Sequence, residues 1–163
     1  MITTTRLTAA MLALAAATII GALAFEHIGG LAPCPLCLQQ RIPYWSGLPL
    51  GIFALAAFHW GRPRIGALLM SLVCAGFALG SVLAVYHAGI EWHWWQGPAA
   101  CSGAEPPTSI DDLLKRLQEP PPPRCDEASW RLMGLSLSGY NAIVSACLSA
   151  LGAVTVVRAL QEK

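Results

Sequence analysis

Four cysteines in the less apolar parts of the chain have the spacing for thiol chemistry. Cys34 and Cys37 lie three residues apart in the segment CPLC, and Cys101 and Cys125 lie further apart in a more polar stretch. A Cys-X-X-Cys pair can be a redox centre, half of a metal site or a local staple. The loop closed by such a pair is very small, so its entropic gain as a staple is small, whereas an easily opened disulfide suits electron transfer.

A metal site fits these cysteines poorly. Only Cys34 and Cys37 have the spacing of a zinc knuckle, and no other loop residues accompany the second pair at metal-ligand spacing. The remaining cysteines, Cys74 and Cys147, fall within long apolar runs, where an unionised thiol acts as a small apolar side chain. The sequence therefore predicts no metal and assigns the chemistry to the four loop cysteines.

Arg41 follows Cys37 by four residues and opens an uncharged run. If a helix has begun by then, Arg41 shares a face with Cys37, and its charge would favour a thiolate there. An arginine at a membrane edge also commonly anchors its helix by extending toward the headgroups. Both interpretations stay open on spacing alone.

The elements that must position these residues follow from the charge pattern. The chain has 163 residues, of which 55% are hydrophobic and only 12% charged. Four runs of at least 19 residues contain no Asp, Glu, Lys or Arg, and a bilayer core needs about 20 residues per helix; the runs are 7–25, 42–61, 65–90 and 132–157. We therefore expect an all-α membrane protein, a four-helix transmembrane bundle. The basic residues form no cluster that could follow a phosphate backbone, so nucleic acid is an unexpected partner.

We expect a single integral membrane domain over residues 1–163. Its spans would cover about 7–26, 42–61, 65–88 and 134–157, joined by outer loops at about 27–41 and 89–133. The first run also resembles a secretory signal, with Arg6 before it and a small-residue ALA segment at its end. Its length exceeds that of a signal, and three more spans follow, which favours an uncleaved helix.

An even number of spans places both termini on one side and both cysteine loops on the other. Lys and Arg divide equally between the sides, but those on the terminal side are concentrated in short tails and one turn: Arg6, Arg62, Arg64, Arg158 and Lys163. The density of positive charge favours cytoplasmic termini. The cysteine loops would then face a compartment in which disulfides persist.

The long loop has two further features. The segment TSIDDLLKRLQE predicts a short amphipathic helix, capped by Ser109, which could lie on the membrane surface or pack within the loop. Pro120 to Pro123 predict a stiff extended spacer before Cys125. Tyr44 and five tryptophans near the outer ends of the spans suggest an aromatic belt at the headgroup level.

Taken in order along the chain, these motifs resemble a known family. CPLCLQQR before the second span, YHAG near the end of the third, the second cysteine pair, and CDEASWRLMGL entering the fourth are similar to DsbB. That family comprises inner-membrane thiol:quinone oxidoreductases that reoxidise the periplasmic dithiol oxidant DsbA. The resemblance covers nearly the whole chain, and it implies a bacterial inner-membrane protein with periplasmic cysteine loops.

The resemblance also implies roles for individual residues. Cys101 and Cys125 would form the disulfide attacked by the partner at Cys101, and Cys125 would then attack Cys34. Cys37, held as a thiolate by Arg41, would pass electrons to a membrane quinone, with His87 near that quinone. Whether ubiquinone or menaquinone accepts the electrons is not specified by the sequence.

Two other functions are weighed against this one. A quinone reductase related to vitamin K epoxide reductase also uses Cys-X-X-Cys, but there the active pair follows the other loop cysteines instead of preceding the second span. A non-catalytic tetraspan protein could use both disulfides merely to brace its loops. The cysteine order argues against the first alternative, and only thiol labelling would exclude the second.

Overall fold

The computed structural model describes residues 2–98, 101, 109–111, 114 and 123–161. Most of these residues are helical, as the uncharged runs predict. The elements, numbered in chain order, are α1 (Ile2–His27), α2 (Pro35–Gln39), α3 (Ile42–His59), α4 (Pro63–Glu91), β1 (Arg131–Leu132), β2 (Leu135–Ser136) and α5 (Leu137–Gln161).

Three of the long helices, α1, α4 and α5, are long and apolar enough to cross a membrane. The fourth long helix, α3, occupies the second uncharged run but is shorter and carries Pro43 and Pro49. Its 18 residues would extend about 27 Å at 1.5 Å per residue, close to the thickness of a bilayer core of about 30 Å. The described helices thus fit a membrane protein.

The long helices pack so that each lies mainly beside two others. α4 contacts α3 and α5, and α1 completes the arrangement by contacting the same two helices. Small side chains permit close approach, since α3 buries Gly47, Gly51, Ala54 and Ala57. α1 buries one narrow stripe of residues at three- and four-residue spacing: Thr4, Thr8, Met11, Ala15 and Ile19. Much of the remaining apolar surface faces outward, as expected for helices in lipid.

A short hairpin precedes α5. β1 and β2 pair antiparallel, and the turn between them places Met133 and Gly134 at φ angles of 50° and 83°. Such positive φ values suit the tight turns that connect twisted strands. The helix expected at 134–157 therefore begins at Leu137, because the preceding residues are used in the hairpin.

Most of the predicted amphipathic helix lies outside the described residues. Within that segment, Ile110, Asp111 and Leu114 are helical, and both apolar side chains are exposed. Of the proline spacer, only Pro123 is described. The proposed lengths of the helix and the spacer therefore stay predictions.

Candidate functional site

The CPLC segment forms the first turn of α2. Pro35 occupies the start of the helix, where its fixed φ angle is favourable and its missing N–H costs nothing. Cys34 is the N-cap, and its Sγ accepts a hydrogen bond from the backbone N–H of Cys37 at 3.3 Å. Both thiols are free, and their sulfur atoms lie 2.9 Å apart. A small displacement is therefore enough to form a bond between them.

The two thiols have different acidities. A hydrogen bond from the Cys37 thiol, assisted by His87 and the Cys37 N–H, lowers the pKa of Cys34 to about 4 against the opposing effect of burial. The pKa of Cys37 is raised, because its S–H donates to Cys34 and because the group is buried. The structure thus makes Cys34 the thiolate, whereas the spacing of Arg41 favours Cys37.

His87 reaches this pair from α4. Its ring is buried, and Nε2 lies 3.6 Å from the Cys34 Sγ. The other ring nitrogen, Nδ1, lies 2.7 Å from the Gln40 amide nitrogen, while the Gln40 oxygen accepts from the Asn141 amide at 2.7 Å. Because Asn141 fixes the orientation of the Gln40 amide, Nδ1 must accept, and the proton of neutral His87 lies on Nε2, facing Cys34.

Arg41 is placed differently from the expectation. Its guanidinium donates to Glu26 Oε2 at 2.5 Å, so the ion pair joins the start of α3 to the end of α1. Arg41 and Cys37 nevertheless line one cavity. Glu26 therefore balances most of the positive charge of Arg41. The guanidinium still lies at the cavity that Cys37 faces.

That cavity has a volume of about 350 Å³ and lies between α1, α3 and α5, with residues of the short loop and the hairpin region at its outer end. Its wall is mostly apolar, and its polar groups are concentrated beside Cys37: Gln40, Arg41, Tyr44, Ser138 and Asn141. An apolar pocket with a few converging polar groups is the usual form of a small-molecule site. His87 is joined to this wall through Gln40.

The second cysteine pair lies on the other side of Cys34. Cys101 and Cys125 form a disulfide, and both are almost fully buried. They pack in one apolar cluster with Cys34, Leu36 and Ile90. The fold thus brings all four sequence-predicted cysteines together, with Cys34 toward the disulfide and Cys37 toward the cavity.

A metal can also be considered at the thiol pair. The possible ligand atoms of Cys34, Cys37 and His87 all lie within 4.8 Å of one another. Structural zinc sites have four protein ligands, one more than this group provides. The absence of a metal stays a prediction.

Sequence reasoning missed several buried polar residues around the site. Tyr44, expected in the aromatic belt, instead points inward and donates to Asn141 at 2.7 Å. Glu91, at the end of α4, is buried and accepts hydrogen bonds from the hydroxyls of Ser136 and Ser138. One available signal was that Glu91 follows His87 by four residues and therefore lies on the same helical face.

The sequence was compared with models of known protein families. Residues 4–155 match the family model described as Disulfide bond formation protein DsbB. The chain belongs to the DsbB family. The match covers both cysteine pairs, α3, α4 and most of α1 and α5, so the family assignment includes the whole candidate site.

Relatives in the family are diverse. A Disulfide bond formation protein B of Marinobacter nauticus is 32% identical over 141 residues, covering 82% of this chain and 80% of the relative. Another from Nitrosospira multiformis is 30% identical, covering 87% and 85%. An uncharacterized protein of Rickettsia prowazekii is 25% identical over 76% of this chain and 70% of its own. No solved structure matches the chain with significance.

Membership in DsbB, together with the apolar helices and the cysteine pairs, makes this chain a membrane oxidoreductase of disulfide bond formation.

Proposed function

We propose that this protein is an inner-membrane thiol:quinone oxidoreductase that reoxidises a DsbA-like periplasmic dithiol oxidase. In this proposal all four long helices span the membrane, both termini are cytoplasmic, and both cysteine loops are periplasmic. The observation that carries it is the position of Cys34 and Cys37 between the Cys101–Cys125 disulfide and an apolar cavity.

The first half of the proposed reaction is thiol–disulfide exchange. A thiolate of the partner attacks Cys101, the Cys101–Cys125 bond breaks, and Cys125 leaves as a thiolate. The second thiol of the partner then displaces Cys101, so the partner leaves with a disulfide. Cys125 attacks Cys34 of an oxidised Cys34–Cys37 pair, and Cys37 leaves as a thiolate; when Cys101 displaces Cys34, the outer disulfide is restored. The clustering of Cys34 with Cys101 and Cys125 supports this direction.

Cys101 and Cys125 are joined by a disulfide, and the sulfurs of Cys34 and Cys37 lie 2.9 Å apart. In the proposed cycle Cys34 and Cys37 hold two electrons when both are thiols or thiolates. The Cys34 thiolate, 2.9 Å from the Cys37 sulfur, is placed to close the disulfide as electrons leave from the cavity side. His87 and the N-cap position stabilise that thiolate until then.

The cavity fits a quinone headgroup. A quinone bound there would supply a lipid-soluble acceptor for two electrons and two protons. Arg41, Asn141 and Tyr44 provide polar groups for its oxygens, and the apolar walls of α1 and α5 accommodate its ring and tail. A protein whose disulfides only brace its loops would gain nothing from a reduced pair facing such a cavity.

The test is an assay of purified protein with a reduced DsbA-like partner and a soluble quinone. We expect one quinone reduced per partner disulfide formed, and loss of quinone reduction in Cys37→Ser. Cys147→Ser is the matched control, because Cys147 is a free, exposed cysteine of α5 away from the pair. Quinone reduction that survives Cys37→Ser would overturn the proposal.

A further inference from the structure

Glu91 is a buried carboxyl that the exchange steps do not use. Its side chain is only 7% exposed, although it ends an otherwise uncharged run. Oε2 accepts from the hydroxyls of Ser136 and Ser138, which the hairpin and the start of α5 bring to it. A buried carboxylate is costly unless its oxygens are hydrogen-bonded or its charge is paired. The two serines bond only one of the two oxygens, so the environment of the other oxygen matters.

The other oxygen of the carboxyl faces the thiol site. Glu91 Oε1 lies 3.9 Å from His87 Nε2, the same nitrogen that lies 3.6 Å from the Cys34 sulfur. Gln40 occupies Nδ1 of the ring, so a single N–H of His87 faces both the sulfur, which lies within hydrogen-bond distance, and the more distant carboxyl oxygen. That N–H can donate to only one of them at a time.

Two negative charges around one shared donor are unfavourable in a buried site. Like charges that lie close together in a medium of low dielectric constant cannot both ionise without a large cost, and one group keeps a proton. Cys34 is the better placed anion, since its sulfur also accepts the Cys37 N–H at the N-cap and the neighbouring Cys37 thiol lowers its pKa. When Cys34 is a thiolate, the carboxyl is therefore the group that holds the proton.

The other charged and titratable groups near Glu91 do not remove this conflict. Among the described residues, Arg131 donates to the backbone oxygen of Glu91 instead of its carboxyl. The contact with Cys34 and burial raise the pKa of Cys37, so that thiol keeps its proton. In the amide orientation set by Asn141, Gln40 donates to Nδ1 of His87, which leaves Nε2 as the donor of the ring. Glu91 is thus the acceptor available for the second proton that accompanies reduction of the pair.

We propose that Glu91 takes up a proton when the Cys34–Cys37 disulfide is reduced and releases it when the disulfide re-forms. On reduction the S–S bond breaks, and the pair gains the two electrons that come from the two thiols of the partner. Of the two protons that accompany them, one is taken up by Cys37 and the other converts the Glu91 carboxylate to a carboxylic acid. On oxidation the S–S bond forms and both protons are released, and a quinone bound in the cavity would supply the acceptor for the two electrons and the two protons. This inference rests on the proposed function for the destination of the electrons and protons.

Ser138 connects Glu91 to the cavity. Its hydroxyl donates to Glu91 Oε2, and the residue also lines the cavity that contains Cys37 and Arg41. Ser136, which bonds the same oxygen and Ser138, is not needed to reach the cavity. The carboxyl therefore lies between the Cys34 site and the cavity where the proposed reaction consumes protons.

The test uses infrared difference spectra of the full chain, reduced minus oxidised, without quinone. Cys101→Ser and Cys125→Ser restrict the redox change to Cys34 and Cys37. We expect reduction to produce the stretch of a protonated carboxyl, which shifts in heavy water and is lost in Glu91→Gln. Glu26→Gln is the matched control, because it removes the carboxyl paired with Arg41 and should leave the band in place.

Absence of the band, or its survival in Glu91→Gln, would overturn the inference. Glu91→Gln keeps an oxygen acceptor for both serines, so it preserves the anchoring of the hairpin. Glu91→Asp provides a second variant, which should keep the band at a shifted frequency. Because no quinone is present, failure of the quinone assay would not affect this result, and loss of the band beside a working assay would overturn this inference alone.

Discussion

The two thiols of the CPLC segment differ because one of them caps a helix. Cys34 has the position in which Ser or Asp usually accepts an N–H of the first turn, and its sulfur does the same. Cys37 lies inside the turn, with its sulfur 2.9 Å from that of Cys34. The difference in acidity is therefore built into the local backbone and is increased by His87 from another helix.

This difference predicts a titration. In protein whose Cys101 and Cys125 are replaced by Ser, the reduced pair should hold one thiolate above about pH 4, and that thiolate should be lost as the pH falls through about 4. Its contribution to stability should accordingly be largest at high pH and absent below about pH 4, because the unfolded thiol ionises only near pH 8.5. Thiolate ultraviolet absorbance measures the titration.

Replacement of His87 by Leu in the same background should raise the pKa of Cys34, because it removes the buried N–H donor 3.6 Å from the sulfur. An unchanged midpoint in His87→Leu would show that the helix cap alone stabilises the thiolate.

Gln40 is predicted to matter for its two buried hydrogen bonds. Gln40→Leu leaves His87 Nδ1 and the Asn141 amide without their partner, and each unsatisfied buried group costs about 1–3 kcal/mol. The adjacent Gln39 is exposed, so Gln39→Leu should change the free energy of unfolding by no more than about 0.5 kcal/mol. Unfolding of both variants in one detergent compares them, and equal losses would contradict the proposed network.

At the scale of elements, the outer end of α4 is shaped by an aromatic contact. A Cβ added at Gly89 would lie 2.0 Å from the ring of Trp95, which is itself held by a hydrogen bond to the Tyr86 backbone oxygen at 2.8 Å. Glycine at this position lets the chain after α4 fold back over the helix. The chain that folds back here leads into the segment that carries Cys101.

Two alanine substitutions in α4 should therefore have opposite effects. Gly89→Ala should destabilise the protein by about 1–3 kcal/mol, the usual cost of overpacking. Gly76→Ala, which meets nothing within 4 Å, should stabilise it by about 0.5–1 kcal/mol, because glycine is unfavourable in a helix interior. Thermal unfolding in detergent measures both, and a stable Gly89→Ala variant would show that Trp95 is free to move.

At the scale of the whole molecule, the helix order places every thiol of the site at one end of the bundle. α1 ends and α5 begins beside the thiol cluster, while the N-terminus of α1 and the C-terminus of α5 lie at the opposite end. If the bundle spans the bilayer, the thiol chemistry and the chain termini must face different compartments.

Labelling can measure that orientation. In a chain with all six cysteines replaced, Thr3→Cys and Ser129→Cys place single exposed thiols at opposite ends. A membrane-impermeant maleimide added to spheroplasts should label Ser129→Cys and should label Thr3→Cys only after lysis. The reverse pattern, or labelling of both before lysis, would contradict periplasmic cysteine loops.

The sequence by itself determined that the four uncharged runs form long helices, where the cysteines lie relative to them, and the family. The short helix α2 lies within the expected loop. These properties are local, since they depend on uncharged runs and on the spacing of neighbouring residues. The helix α5 begins three residues after the start of the expected span, because the turn at Met133 and Gly134 forms a hairpin that a count of charges does not detect.

Only the tertiary structure decided which side chains surround the two thiols. The contacts that settle this join residues 47 to 101 positions apart, from Gln40 to His87 and from Gln40 to Asn141. Helices in lipid are apolar on both their packed and their outward faces, so periodicity does not specify which face meets which neighbour. The partners of Cys34, Arg41 and Glu91 therefore became known only when the helices were packed.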